Sequence, residues 1–164
     1  MRAHRLEHFH HGVVVDGLTV QRPADHGAQV VVADGERIGI AEGALKLALR
    51  YAQEREAFGK PILDFQNTRF TLADIKAKLQ VGWAHLDWAL ARHLKRELTA
   101  EEGAAAKLWH TELQWEVMDK CLQLHGGAGY MNEYPIAKQF RGARVTRIFG
   151  GTSEIMKELI GRKL

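Results

Sequence analysis

From Asp34 to the end of the chain, apolar residues recur at intervals of three and four, the period of helices buried along one side. No convincing alternating strand interrupts them. A first helix is expected to start near Asp34, whose side chain can cap free N–H groups, and to bury Ile38, Ala41, Leu45, Ala48, Leu49 and Ala52. Phe58-Gly59-Lys60-Pro61 ends it, because Gly and Pro both oppose continuation. A second, unusually long helix runs from about Phe65 to Lys95, with Leu72, Ile75, Leu79, Trp83, Leu86 and Leu90 inward. The third opens with Thr99-x-x-Glu102, a capping box, turns Ala106, Trp109, Leu113, Val117, Cys121 and Leu124 inward, and halts at Gly126-Gly127. Pro135 suits the first turn of a short helix around Ile136 to Arg144. Thr152 or Ser153 caps a final one that buries Ile155, Met156, Leu159 and Ile160. Long helices with short connections predict an all-α fold over residues 31–164, an antiparallel four-helix bundle with an additional C-terminal helix.

Residues 1–30 read as an irregular N-terminal segment. Val13-Val14-Val15 and Val30-Val31-Val32 are short β-prone runs among Gly, Pro and His. His4, His8, His10 and His11 crowd together there, but no carboxylate or thiolate completes a ligand set, so no functional metal site is expected. At 164 residues the chain fits one domain, and 46% hydrophobic with 26% charged residues is ordinary globular composition. The net charge of +3 is mild and its signs are interleaved, which argues against a nucleic-acid partner. No apolar run reaches the roughly 20 residues of a membrane span, and the start lacks the features of a signal peptide, so the expectation is a cytoplasmic protein. The single cysteine, Cys121, lies at helical spacing from Leu113, Val117 and Leu124 and reads as a buried apolar residue rather than a nucleophile.

Three segments carry more specific information. The first is Arg55-Glu56-Ala57-Phe58-Gly59-Lys60-Pro61-Ile62, followed by Phe65-Gln66. The second is Gln123-Leu124-His125-Gly126-Gly127-Ala128-Gly129-Tyr130, running into Glu133-Tyr134-Pro135. The third is Arg147-Ile148-Phe149-Gly150-Gly151-Thr152-Ser153-Glu154-Ile155. In this order and spacing they resemble the C-terminal helical domain of the acyl-CoA dehydrogenases, over about Ala33 to Leu164. In that family a helical domain and a β-domain precede the bundle, and the N-terminal segment here does not resemble that β-domain.

The resemblance implies FAD as cofactor. Arg55 would reach the pyrophosphate of a flavin held mainly by a neighbouring subunit, with Phe58 against the adenine and Gln66 nearby; a planar, permanently charged fork suits that task. On composition alone Arg55 reads as surface charge. Gln123, Gly126 and Gly127 would let cofactor phosphates or sugar approach the backbone, although Gly126 by itself is also a plain helix stop. Gly150-Gly151-Thr152-Ser153-Glu154 enters a helix N-terminus, with its unpaired N–H groups and positive dipole end. There the family meets flavin and thioester, so Thr152 and Glu154 carry over as FAD contacts. Asp34, Arg37, Phe149 and Gly151 carry over as substrate contacts.

Most family members place a catalytic glutamate directly before the Gly-Thr, and here that position is Gly150. A minority branch that includes the isovaleryl-CoA and long-chain enzymes carries the glutamate near the start of the first bundle helix, before an Arg. Glu36-Arg37 fits that pattern. The resemblance therefore implies Glu36 as base, with Gly150 contributing its backbone N–H to the thioester oxygen. Gly142 follows Arg141 where an Asp is customary. The implied activity is FAD-dependent α,β-dehydrogenation of an acyl-CoA, with an electron-transfer flavoprotein as oxidant, in a homo-oligomer that is a dimer or tetramer. The alternative is a non-catalytic helical oligomerisation module, since a bundle core needs no cofactor to stay folded.

Overall fold

A computed structural model describes residues 8–9, 12–15, 18–21, 26–162 and 164, with side-chain environments from Ala33 onward. Strands β1 (His8–Phe9), β2 (Gly12–Val15) and β3 (Leu18–Gln21) form a small antiparallel sheet in that order. Helix α1 (His26–Glu54) follows, then the two-residue strands β4 (Glu56–Ala57) and β5 (Lys60–Pro61) and a 3-10 turn over Ile62–Asp64. Helices α2 (Gln66–Leu94), α3 (Ala100–His125), α4 (Pro135–Thr146) and α5 (Ser153–Gly161) complete the fold, with a 3-10 turn over Gly126–Tyr130 between α3 and α4. The all-α reading holds. Helix α3 is the hub, packing against α1, α2, α4 and α5.

The predicted punctuation is realised closely. Thr99 accepts from the Glu102 N–H and the Glu102 carboxylate accepts from the Thr99 N–H, a complete capping box. Pro135 opens α4, and Thr152 caps α5 by accepting from the Ile155 N–H. The start of α1 differs. It begins at His26, so Asp34 lies inside the helix and caps nothing, and Val30-Val31-Val32 is helical rather than extended. Tertiary packing of the long apolar face overrides the β preference of three valines, which is a weak prior. The Val13–Val15 run does lie in a strand. His4, His10 and His11 fall outside the described residues, as does the side chain of His8. Among the described residues no cluster of His, Cys, Asp or Glu could hold a metal ion, and no helix is long and apolar enough to cross a membrane.

The core contains Ile38, Ala41, Leu45, Ala48 and Ala52 of α1, Leu72, Ile75, Leu79 and Leu86 of α2, and Leu113, Val117, Met118 and Cys121 of α3. Four residues assigned inward by spacing are instead exposed: Leu49, Leu90, Trp109 and Ile155. Their places in the seam are taken by small or polar neighbours, among them Ala89 and His110. Helices α2 and α3 approach closely there: a Cβ on Gly82 would lie 2.9 Å from Leu113 and 3.3 Å from Trp109. Burial also pushes the Cys121 thiol up to about 12, so this cysteine is inert packing.

Leu79→Ala should cost about 2–5 kcal/mol because it opens a cavity, whereas Leu90→Ala should stay within about 0.5 kcal/mol. Urea unfolding of both variants checks this. Equal losses would put Leu90 back in the core.

Candidate functional site

Two regions gather the residues singled out by sequence. At the C-terminal end of α1, an open cavity of ≈ 440 Å³ is lined by Tyr51, Arg55, Gln123, His125, Gly126 and Gly127, among others. Gly126 has φ 58, the left-handed backbone that ends α3 and turns the chain over this opening. Arg55 is exposed, and no carboxylate among the described residues pairs with it. His125 is buried and donates from Nδ1 to the Cys121 carbonyl at 2.7 Å, which leaves Nε2 as an acceptor. Its ring stacks on Tyr51 with centroids 4.4 Å apart. Phe58 lies beside this region, 96% exposed, with φ 53, its ring edge-on to Phe65 at 6.3 Å. Gln66 opens α2 and is exposed.

The second region is the turn from α4 into α5. Glu112 of α3 fastens it on both sides: one carboxylate oxygen accepts from Arg147 Nε at 2.8 Å and from the Ser153 hydroxyl at 2.9 Å. Lys107, also on α3, donates from Nζ to the Gly151 carbonyl. Gly150 has φ 65 and Gly151 φ 102, so both use backbone that side chains disfavour. The Gly150 N–H has no acceptor among the described residues. The Glu154 carboxyl is held below the usual range chiefly by its own backbone N–H, with Thr152 adding to the effect.

Behind this turn lies a buried polar cluster. Arg37 and Asp34 form an ion pair inside the bundle, and the Arg37 guanidinium sits 5.7 Å from the Phe149 ring centroid, a cation–π contact. His110 Nδ1 is 3.0 Å from the other Asp34 oxygen, though its N–H is off the line of a good hydrogen bond. His110 Nε2 is 3.2 Å from His85 Nδ1. Burial, then the nearby Arg37, lowers the Lys107 amine below the usual lysine range. Asp34 and Arg37 thus face inward, one contacting Phe149 only through the other. Glu36, the next residue on α1, is exposed.

Residues 19–164 match the family described as acyl-CoA dehydrogenase, C-terminal domain. The chain belongs to this family. Mouse mitochondrial long-chain specific acyl-CoA dehydrogenase is 43% identical over 136 residues, covering 79% of this chain and 32% of the mouse protein. A caffeyl-CoA reductase–Etf complex subunit of Acetobacterium woodii is 36% identical over 129 residues, covering 79% of this chain and 34% of that protein. The crystal structure of an acyl-CoA dehydrogenase from Geobacillus kaustophilus superposes with TM-score 0.81 at 30% identity, covering 92% of this chain and 42% of that one. The chain therefore spans about a third of the length of these sequence relatives.

In this acyl-CoA dehydrogenase domain the cavity brings Arg55, Gln123, Gly126 and Gly127 together, while Phe149, Gly150, Gly151, Thr152 and Glu154 form the separate turn. Sequence reasoning missed Lys107, His110, Glu112, His85 and His125. A signal existed for two of them. Lys107 and His110 share the inward face of α3 with Gln114, at i, i+3 and i+7, and polar residues at that spacing on a buried face mark a buried network.

A folded-state lysine pKa below the unfolded one means that the unfolded chain holds the proton more tightly. Stability then rises as pH climbs toward the ordinary value of about 10.4, and is lost as pH falls through the folded value. Lys107→Met should abolish this increment. Urea unfolding of parent and variant between neutral pH and about pH 10 reads the difference, and parallel pH dependences would show that Lys107 is not the source.

Proposed function

We propose that this domain serves FAD-dependent α,β-dehydrogenation of an acyl-CoA thioester, within a homo-oligomer and with an electron-transfer flavoprotein as oxidant. The observation that carries the reading is the cavity uniting Arg55 with Gln123, Gly126 and Gly127, two sequence-distant segments converging on one opening. An exposed guanidinium without a carboxylate partner, beside glycine backbone, fits a pyrophosphate-bearing ligand. The relation of the Acetobacterium subunit to an Etf complex supports the choice of oxidant.

In this reading Arg55 holds the cofactor phosphates, Phe58 lies against the adenine, and Gln66, Gln123, Gly126 and Gly127 line its path. Thr152 and Glu154 contact the flavin end bound by their own subunit. FAD, when bound, supplies the hydride acceptor. Glu36 takes the proton α to the thioester, and its exposure in the isolated bundle leaves it available to a substrate seated against this face. The unpaired Gly150 N–H donates to the thioester oxygen as enolate character develops. Phe149 and Gly151 shape the acyl side of the turn, and Asp34 and Arg37 support it from behind.

Arg55→Ala should weaken FAD binding by about 1.5–3 kcal/mol, the scale of a hydrogen bond to a charged group, without loss of helicity. Equal flavin content in variant and parent would remove Arg55 from the site. In a full dehydrogenase polypeptide ending in this domain, Glu36→Gln should abolish most flavin bleaching by acyl-CoA while FAD is retained, and adding Gly150→Glu should restore part of it. Bleaching at the parental rate in Glu36→Gln would sink the assignment of the base.

A further inference from the structure

The described mechanism leaves the His85–His110 pair unused. His110 is fully buried, and His85 is half-buried between two tryptophans, stacked on Trp88 with centroids 5.4 Å apart and edge-on to Trp109 at 6.1 Å. An ionised Asp34 can only accept, so the hydrogen on His110 belongs on Nδ1 facing it, and Nε2 then accepts from His85 Nδ1. A further proton enters at His85 Nε2, the nitrogen not engaged with His110. Asp34 of α1 faces this pair, with Arg37 paired to the same carboxylate and Lys107 of α3 within reach of both charges. The α4–α5 turn brings the Phe149 ring and the Gly151 carbonyl, while Glu112 and Arg147 are engaged with each other farther along α3. Burial first, and then His110, holds His85 below the usual imidazole range.

Asp34 is thus shared between Arg37 and His110, and both cations that steady the turn depend on it. Arg37 supports Phe149, and Lys107 holds Gly151. Charge arriving on the imidazole pair competes with Arg37 for the carboxylate and repels both cations in a poorly screened interior.

We propose that His110, reached from solvent through His85, is a positioning residue that sets the Phe149–Gly151 turn through Asp34, Arg37 and Lys107, and that a proton on this pair loosens the turn. The inference rests on the geometry alone; the dehydrogenase reading enters only in calling the turn part of a substrate site.

Backbone amide and histidine ring spectra of the 164-residue chain, recorded through the imidazole titration range, test it without flavin or substrate. The amides of Phe149, Gly150 and Gly151 should shift with the same midpoint as the His85 ring, below that of an exposed imidazole. His110→Gln keeps a donor but cannot titrate, and in it the turn amides should stay flat. Should that variant fail to fold, His85→Gln carries the same comparison with the same expected loss. Turn amides that stay put while the parent's rings titrate overturn the proposal, as does a turn titration unchanged in either folded variant.

Discussion

A carboxyl group taken out of water needs polar partners, and Asp34, fully buried inside α1, finds them in Arg37 one turn along and His110 across the α1–α3 interface. That need fixes how the two helices face each other. Rotating α1 by one residue would turn the carboxyl about 100° away from His110 and toward apolar neighbours. An uncompensated buried charge costs several kcal/mol, more than most single apolar contacts return. The polar group therefore sets the register, whereas the apolar residues set only the tightness of fit. Glycine and alanine along the seam then decide the distance: Gly82 lets Leu113 and Trp109 approach where any Cβ would crowd them. The α4–α5 turn docks on the result, with Arg37 beneath Phe149 and Lys107 on the Gly151 carbonyl.

Much of this architecture was legible in the sequence because caps and stops are local. Thr99, Glu102, Pro135 and Thr152 each act within one turn, and each performs the task its residue type suggests. Facing was less legible, because spacing alone leaves two candidates at each step. Between Ala106 and Leu113, both Trp109 and His110 satisfy a three-or-four rule; hydrophobicity favours the tryptophan, yet the histidine is buried. What decides is a partner on another helix, Asp34, which no local pattern reveals. The start of α1 failed for a related reason, since an aspartate followed by an apolar period looks like a cap until its burial is known. The candidate site divides similarly. Arg55 and the Gly126-Gly127 pair were readable as motifs, but Lys107 and Glu112, which hold the turn in place, depend on contacts made across 35 to 44 residues of chain.

One half of the candidate site lies at the C-terminal end of α1 and the other beside the helix nearer its middle, around Arg37. Arg37 and Glu54 are separated by about 25 Å at helical rise, so Arg55 and the Phe149–Gly151 turn are far apart on one chain. A single ligand touching both on the same protomer would have to run along the helix across a side already covered by α3. Two chains, each offering one of these half-sites to one ligand, meet the same demand without that path. The open cavity at Arg55 and the fully exposed ring of Phe58 are what such a half-site would present. This is why the cofactor proposal and the homo-oligomer proposal stand together: each supplies the half that the other lacks.

The adjacent glycines of the turn carry different constraints, and the difference bears on where a catalytic carboxylate can sit. At Gly151 a Cβ would lie 2.6 Å from the terminal methyl of Met156, which can swing aside, but φ is 102, so the backbone resists any side chain. At Gly150 the nearest atom to a Cβ is Lys107 Cε at 3.8 Å, an ordinary contact. Only the left-handed φ of 65 opposes substitution there, a penalty on the order of 1–2 kcal/mol. Gly151 is thus a requirement of backbone conformation, whereas position 150 admits a side chain at modest cost. A glutamate at 150 and one at 36 are then alternative ways to bring a carboxylate to the same region, one from the turn and one from the exposed side of α1. With glycine at 150, the backbone N–H keeps its freedom to donate, and the proposed base is Glu36. The same turn can serve either arrangement because Lys107 and Glu112 hold it through Gly151, Arg147 and Ser153, none of which depends on what position 150 carries.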